Sequence, residues 1–320
     1  MRLVFMGTPE FAVPTLRAVA HDGHDILCVF TQPDRPAGRG HRLTPPPVKA
    51  AALELGLRVE QPRRVSVPDV VKAIREMRPD AVVVAAFGQK ISPELLSVPK
   101  HGFLNVHPSL LPRYRGAAPV QRCLMNGDRV TGVTIMYMDE GWDTGDIGLM
   151  REVDVPDGAN AAELDDVLAQ HGAELMCEFL RLLEMGKAPR IPQDDSKATY
   201  APKITDEDLV IDFRRPAESI RNQIRGLSPS PGASVSVGEI RFKILRAEAV
   251  PDWSPPQAFE GEVEPGMLWP ERRCGLVLGC GPDGRDGLVL LEVQPAAGKA
   301  MGGAEFARGR RLLPGQRVFS

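Results

Sequence analysis

The sequence lacks the patterns that define several common protein classes. Its five cysteines are scattered, with no CxxC pair and no histidine at metal-ligand spacing, so neither a metal site nor a disulfide framework is indicated. No apolar run is long enough to cross a membrane, and the first residues read as a strand, without features of a signal or transit peptide. We therefore expect a cytoplasmic protein with free thiols and no metal.

Charge and glycine spacing argue against two further classes. The net charge is −3 over 320 residues, so any contact with nucleic acid must come from a local basic patch. The first strand–helix turn reads GTPEFA over residues 7–12 instead of GxGxxG, which removes most of the support for dinucleotide binding. Thr8 and Pro9 in this turn predict a helix N-cap and a first helical residue.

Apolar periodicity in the first 150 residues predicts an α/β fold. Short apolar runs alternate with segments of helical spacing, which is typical of a doubly wound, Rossmann-like parallel sheet. The run AVVVAA is apolar on both faces, as a central parallel strand should be. The strand-like runs are 3–6, 26–31, 81–86, 103–106, 131–138 and 147–153, and the helical segments are 11–20, 48–55, 70–77 and 160–186.

A change of composition divides the chain. Residues 187–208 are polar and rich in proline, as in a linker. Beyond them, a short helix at 216–227 precedes strand-like runs separated by Gly/Pro turns, which predicts a smaller β-barrel (OB-like) domain. We place the first domain at 1–189, the linker at 190–207 and the second domain at 208–320.

The most informative stretch is FLNVHPSLLPRYRG, residues 103–116. Asn105 and His107 are two apart, so a strand puts both on one face. Pro108 then stops the strand, leaving His107 at its carboxyl end, where open α/β sheets bind ligands. Asp143, in GWDTGD, is a carboxylate that one pocket could bring beside them.

An amide and an imidazole together suit the oxyanion that forms when a nucleophile attacks a carbonyl, and a carboxylate would orient the imidazole. Each residue alone also fits a structural role: a cap for Asn105, a turn for Asp143. No serine or cysteine is placed as a nucleophile. The set therefore favours direct transfer of an activated carbonyl over a covalent enzyme intermediate.

At these residues the chain resembles the folate-dependent formyltransferases, which share NxHxSLLP followed by an aspartate in D-x-G-x-D-x-G. Here the motifs stand as NVHPSLLP and DEGWDTGD. The branch of the family that formylates methionyl-tRNA is similar over nearly the whole chain. The stretches that carry this wider resemblance are 7–16, 31–49, 115–124, 131–147 and 198–204.

The resemblance implies roles for particular residues. Asn105 and His107 would contact the formyl oxygen, and Asp143 would pair with His107. The donor would be 10-formyltetrahydrofolate, and the acceptor the α-amino group of methionine on initiator tRNA. The residues implied to line the folate site are Ser109, Leu110, Leu111 and Pro112.

The loop at 33–49 carries four basic residues against one acid, Asp34. Composition alone favours a solvated surface loop, whereas the resemblance implies that it enters the tRNA acceptor stem, with Arg39 at the key position. Basic groups there would make salt-sensitive phosphate contacts. The implied tRNA-binding residues are Arg35, Arg39, Arg42 and Lys49.

The second domain departs from the family pattern. Residues 201–320 hold 16 basic and 16 acidic residues, so they have no net positive charge, and Phe213 and Ser228 replace a usual Trp and Asn. Two other functions stay open: a formyltransferase for a small amine (a purine precursor or an amino sugar), and a nucleic-acid-binding module with a degenerate enzyme core. The basic loop disfavours the first, and the intact Asn105, His107 and Asp143 disfavour the second. We expect a monomer.

Overall fold

The computed structural model describes residues 1–37, 42–250, 253–255, 261–271, 275–296 and 298–320. These form two compact units. Unit 1 comprises Met1–Pro119, Val130–Asp154 and Asp165–Ala201, and unit 2 comprises Val120–Arg129, Val155–Leu164 and Pro202–Ser320.

A seven-stranded sheet organises unit 1. The strands of this unit are β1 (Arg2–Gly7), β2 (Asp25–Phe30), β3 (Arg35–Ala37), β4 (Arg42–Thr44), β5 (Val59–Glu60), β6 (Ala81–Ala85), β7 (Phe103–His107), β8 (Arg115–Gly116), β9 (Val130–Tyr137), β10 (Ile147–Asp154) and β11 (Tyr200–Ala201). The sheet order is β10-β9-β7-β6-β1-β2-β5. The five strands from β7 to β5 are parallel, whereas β9 and β10 are antiparallel. The predicted doubly wound sheet is confirmed, and β6 is buried along its whole length.

The helices of the first two-thirds of the chain are α1 (Ala12–His21), α2 (Pro47–Glu54), α3 (Pro68–Met77), α4 (Pro93–Leu96), α5 (Pro119–Asn126) and α6 (Ala161–Glu184). The predicted start of α6 is confirmed: Asn160 Oδ1 accepts from the Glu163 amide, and Glu163 Oε2 accepts from the Asn160 amide, both at 3.0 Å. The predicted cap at Thr8 is wrong. Its hydroxyl instead donates to the Phe87 carbonyl, 2.9 Å away, and α1 begins without a side-chain cap.

Unit 2 is built around a closed barrel. Its elements are α7 (Ala217–Leu227), β12 (Ala233–Val237), β13 (Ile240–Val250), β14 (Met267–Glu271), β15 (Gly275–Cys280), β16 (Asp286–Pro295), β17 (Met301–Gly302), α8 (Gly303–Arg310) and β18 (Gln316–Phe319). Six strands follow the order β13-β12-β18-β14-β15-β16, and β16 pairs back to β13. All these pairings are antiparallel, which confirms the predicted barrel.

The segment after α6 remains paired with unit 1 as far as Ala201. Ile191 bridges to Ile147, and β11 lies parallel to β8, with Tyr200 opposite Arg115. From Pro202 onward the chain belongs to unit 2. The boundaries of the linker and of the two predicted domains stay predictions.

Among the described residues, four cysteines are free and buried: Cys28, Cys123, Cys177 and Cys280. Burial raises the pKa of the Cys28 and Cys177 thiols to about 11 in each case, and it also raises the pKa of Cys280. None of the described helices is long and apolar enough to cross a membrane.

We predict that these thiols are inert in the folded protein, because the thiolate is the reactive form and burial disfavours it. The Cys274→Ser variant, which removes the one cysteine outside the described residues, should show almost no reaction with a disulfide reagent at pH 8 over an hour. All four thiols should react after unfolding in guanidinium. Reaction of the folded variant at the rate of a free thiol would contradict this prediction.

Candidate active site

Strand β7 carries two of the predicted site residues. Asn105 lies opposite Met136 of β9 and Val84 of β6, and His107 lies opposite Thr134. His107 is 4% exposed, whereas Asn105 is partly exposed. The Asn105 amide makes no hydrogen bond with any other residue that the structure describes, so its donors are available to a bound molecule.

The His107 ring is held between a carbonyl and a carboxylate. Its Nε2 atom lies 3.0 Å from the Tyr114 carbonyl oxygen, which can only accept, so Nε2 carries a proton. Its Nδ1 atom lies 3.8 Å from Asp143 Oδ2. That distance is too long for a hydrogen bond but short enough for strong attraction if the ring is charged. Nδ1 is therefore the ring nitrogen that can contact a substrate.

Asp143 reaches His107 from a loop that is braced internally. Strand β9 leaves the sheet with Tyr137 opposite Leu104, about 10 Å along β7 from His107. The loop returns with Asp143 in a left-handed conformation, φ 56°. The Asp139 carboxylate accepts from the Thr144 hydroxyl at 2.8 Å and from the Gly141 amide at 3.0 Å, which stabilises this turn.

A backbone amide on a second loop fixes the Asp143 carboxylate. The Gly116 N–H donates to Asp143 Oδ2 at 2.8 Å. Gly116 has φ 119°, and a Cβ atom there would lie 2.8 Å from the Ala201 carbonyl oxygen. Only glycine allows both this backbone conformation and the close approach of β11. The sequence analysis did not predict this role, although Gly116 ends the stretch FLNVHPSLLPRYRG that it singled out.

The predicted folate residues form the turn after β7. Ser109 is fully buried, and its hydroxyl donates to the Arg113 carbonyl at 2.6 Å. Leu111 is also buried and packs against Met136 and Ile147. Leu110 and Pro112 keep part of their surface exposed. The side chains of the buried pair therefore shape the turn, and contact of these residues with folate stays a prediction.

The predicted tRNA residues lie around the β3–β4 hairpin. Arg35 is exposed on β3, Arg42 lies in β4, and Arg39 lies outside the described residues. Lys49 Nζ contacts the Asp34 carboxylate at 2.8 Å, and this bond, together with one from Gln61, lowers the pKa of Asp34. The positive charge of Lys49 is therefore balanced by the Asp34 carboxylate next to the β3–β4 hairpin.

Two residues around Asp143 were missed by sequence reasoning. Arg115 is 2% exposed, and its guanidinium donates to Gln193 Oε1. Gln193 Nε2 donates to the carbonyl oxygens of Asp143 and Gly145, at 2.9 and 2.7 Å. No local signal points to Gln193, because it follows Asp143 by 50 residues. In the described part of the chain, no group of three or more His, Cys, Asp or Glu residues could hold a metal ion.

Comparisons with known proteins agree over nearly the whole chain. A family model described as formyl transferase matches residues 1–180, and one described as formyl transferase, C-terminal domain, matches residues 203–311. The chain is 45% identical to methionyl-tRNA formyltransferase of Geobacter sulfurreducens, covering 99% of this chain and 96% of that protein. It is 47% identical to the enzyme of the same name from Symbiobacterium thermophilum, covering 99% and 95%.

Solved structures with low sequence identity share the fold. WlaRD, described as a sugar 3N-formyl transferase, superposes with a TM-score of 0.64 at 18% identity, covering 93% of this chain and 99% of that chain. HypX from Aquifex aeolicus, solved in complex with tetrahydrofolic acid, superposes with a TM-score of 0.61 at 18% identity, covering 96% and 47%.

We predict that Gly116→Ala destabilises unit 1 more than Gly102→Ala does. Both glycines have positive φ, so alanine at either position costs about 1–2 kcal/mol of backbone strain. Only at Gly116 does the new methyl group also meet a backbone oxygen, whereas at Gly102 nothing lies within 4 Å. Urea unfolding should show a loss at Gly116 that exceeds the control by at least about 1 kcal/mol. Equal losses would mean that β11 does not approach Gly116 closely.

Proposed function

Because the chain belongs to the formyl transferase family, we propose that Asn105, His107 and Asp143 carry out the transfer of a formyl group from 10-formyltetrahydrofolate to the α-amino group of methionine on initiator tRNA. One observation carries this assignment. Asp143 approaches His107, and His107 lies on the same strand as the Asn105 amide. The chain is a formyl-transferring enzyme, and its partners are methionyl-tRNA and the folate that supplies the formyl group.

Asn105 and His107 stabilise the charge that develops on the formyl oxygen. Attack by the neutral amine on the formyl carbon moves electrons onto this oxygen. The free Asn105 amide and Nδ1–H of the protonated imidazole can both donate to it, since Nε2 is already engaged by Tyr114. Asp143, 3.8 Å from Nδ1, balances the charge of the ring and keeps it in this orientation.

Asp143 also serves the proton transfer. The attacking amine must lose a proton as its bond to the formyl carbon forms, and the Asp143 carboxylate accepts it through a water molecule. When the bond between the formyl carbon and N10 of the folate breaks, the proton passes to N10, so no net proton is released at the site. Ser109 does not act as a nucleophile, because its hydroxyl is buried and donates to a carbonyl.

The tRNA is bound by the basic residues of the hairpin region and by the second domain. The exposed Arg35 meets the acceptor stem together with Arg39 and Arg42, while Lys49 fixes the base of the loop through Asp34. In this proposal residues 1–189 are the catalytic domain, 190–207 the linker, and 208–320 the tRNA-binding barrel. The folate lies against the turn that Ser109, Leu110, Leu111 and Pro112 form.

The protein works as a monomer in the cytoplasm. One chain supplies all three proposed catalytic residues, so a second copy is not needed to complete the site. Cytoplasmic placement follows from its substrates, charged tRNA and reduced folate. Incubation with labelled 10-formyltetrahydrofolate and either charged initiator tRNA or small amines tests the assignment. If a small amine is labelled and the tRNA is not, the protein is a small-amine formyltransferase and the proposed tRNA function is wrong.

Replacement of Asn105 by alanine should reduce kcat by about 10²–10³, because one donor to the oxyanion is lost. The KM for charged tRNA should change little. Asn105→Asp, which keeps the shape of the side chain but has no amide donor, should lose at least as much. Steady-state kinetics with both variants measure these effects, and turnover close to that of the wild type would remove Asn105 from the mechanism.

Replacement of Arg39 by alanine should raise the KM for charged tRNA and lower the salt slope of tRNA binding by about one unit per lost phosphate contact. A fall in kcat is also expected if the loop helps to place the aminoacyl end. Lys72→Ala is a matched control, because Lys72 is 74% exposed on α3, outside the loop. Folate affinity should not change. If Arg39→Ala and Lys72→Ala behave alike at every salt concentration, the loop does not bind tRNA.

A further inference from the structure

The segment from Ile191 to Ala201 crosses both loops that hold the Asp143 carboxylate. At one end, Ile191 exchanges two backbone hydrogen bonds with Ile147, 2.8 and 2.9 Å long, at the start of β10. At the other end, the Thr199 carbonyl accepts from the Arg115 amide at 2.9 Å, and the Thr199 hydroxyl accepts from the Tyr114 amide at 2.9 Å. Gln193 lies between these two fixed points.

The Gln193 amide can take only one orientation. Arg115 only donates, and its Nε and Nη2 atoms lie 3.0 and 2.8 Å from one end of the amide, so that end must be the oxygen. The NH₂ end then faces the carbonyl oxygens of Asp143 and Gly145, and both of its hydrogens are used. Gln193 thus binds the backbone of the Asp143 loop directly.

Stability alone does not account for Arg115. Burying a guanidinium is costly unless its donors are satisfied, and a carboxylate is the usual partner. Here two of the bonds go to a neutral amide oxygen. Among the described residues, the one carboxylate in contact is Asp195 at 2.7 Å, which is 82% exposed and therefore adds little. What the buried arginine does achieve is a fixed orientation of Gln193.

We propose that Gln193, oriented by the buried Arg115, is a positioning residue that holds the backbone of Asp143 so that its carboxylate stays at His107. This inference rests on the proposed function, since it assigns Gln193 a role through Asp143. Asp143 is in the left-handed region, and its carboxylate already sits 3.8 Å from Nδ1. A shift of the loop by even 1 Å would move it out of useful range.

The test uses Gln193→Glu, which has nearly the shape of glutamine. A glutamate still pairs with Arg115, so the buried arginine keeps a partner, but its second oxygen faces two carbonyl oxygens and cannot donate to them. The chain contains a matched control: Gln223 Nε2 donates to the carbonyl oxygens of Asp208 and Val210, at 2.9 and 2.8 Å, and its Oε1 accepts from Arg215 at 3.3 Å. Gln223→Glu therefore removes the same bonds from a turn in unit 2.

We expect Gln193→Glu to lower kcat for formyl transfer about tenfold to a hundredfold, with KM values for tRNA and folate changed less than about threefold. Gln223→Glu should lower the melting temperature at least as much, because Gln223 is more buried, yet it should leave kcat near the wild-type value. A kcat loss no larger than that of Gln223→Glu would overturn the proposal, as would an effect confined to KM.

A double-mutant cycle separates positioning from general damage. Asp143→Asn keeps an oxygen for the Gly116 amide but removes the charge. If Gln193 acts through Asp143, adding Gln193→Glu to Asp143→Asn should reduce the remaining rate by less than about threefold, since coupled residues are not additive. A further loss as large as that in the wild-type background would show that Gln193 acts elsewhere, and the proposal would fail.

Tryptophan provides a readout that needs no substrate. The chain has three tryptophans, and Trp142 precedes Asp143 with 74% of its surface exposed, whereas Trp253 and Trp269 are buried in unit 2. In ¹⁹F NMR of fluorotryptophan-labelled protein, Gln193→Glu should shift or broaden the Trp142 resonance alone, assigned with Trp142→Phe. An unchanged Trp142 resonance would overturn the proposal. Absence of formyl transfer by the wild type would instead refute the proposed function and leave this test of loop position intact.

Discussion

The hydrogen bond from the Gly116 amide to the Asp143 carboxylate connects two loops that are 27 residues apart in the chain. It fixes the carboxylate at the end of β7, where the His107 ring is already anchored by the Tyr114 carbonyl. Both ends of this bond require unusual backbone conformations: Gly116 has φ 119° and Asp143 has φ 56°. Glycine adopts a positive φ readily, whereas a left-handed aspartate is uncommon, so the surrounding bonds must hold Asp143 in place.

The sheet topology explains why the Asp143 loop needs support from outside. Strand β9 runs antiparallel to β7 and leaves the sheet near Leu104, so the loop must return along β7 to reach His107. Bonds within the loop, from Thr144 and Gly141 to Asp139, fix its shape but not its position. Its position depends on neighbouring segments: the Gly116 amide binds the Asp143 carboxylate, and residues 191–201 contact both loops.

The structure uses its basic residues in two different ways. Around the β3–β4 hairpin, Arg35 is exposed to solvent, while Lys49 is paired with Asp34 at the base of the loop. Arg115, in contrast, is buried and donates hydrogen bonds to Gln193 and Asp195. Exposed cations attract a polyanionic partner over long distances, whereas a buried, hydrogen-bonded guanidinium fixes the orientation of the groups it binds. Net charge alone, −3 for the chain, distinguishes neither use.

The sequence by itself determined the features that depend on neighbouring residues. Apolar periodicity located β6, β7 and α6, and the capping box at Asn160 and Glu163 is present as expected. Period 2 along β7 was also enough to pair Asn105 with His107. Short strands such as β14 and β18 were not predicted, because β18 pairs with β12, about 80 residues away, and has little periodicity of its own.

Only the tertiary structure decided how the parts of the site meet. Thr8 was expected to cap a helix, but its hydroxyl donates to the Phe87 carbonyl, 79 residues away in the chain. The separation of His107 and Asp143, the approach of β11 to Gly116, and the contact of Gln193 with the Asp143 backbone likewise join distant segments. Local patterns report bonds made within a few residues, whereas these contacts depend on how whole strands and loops pack.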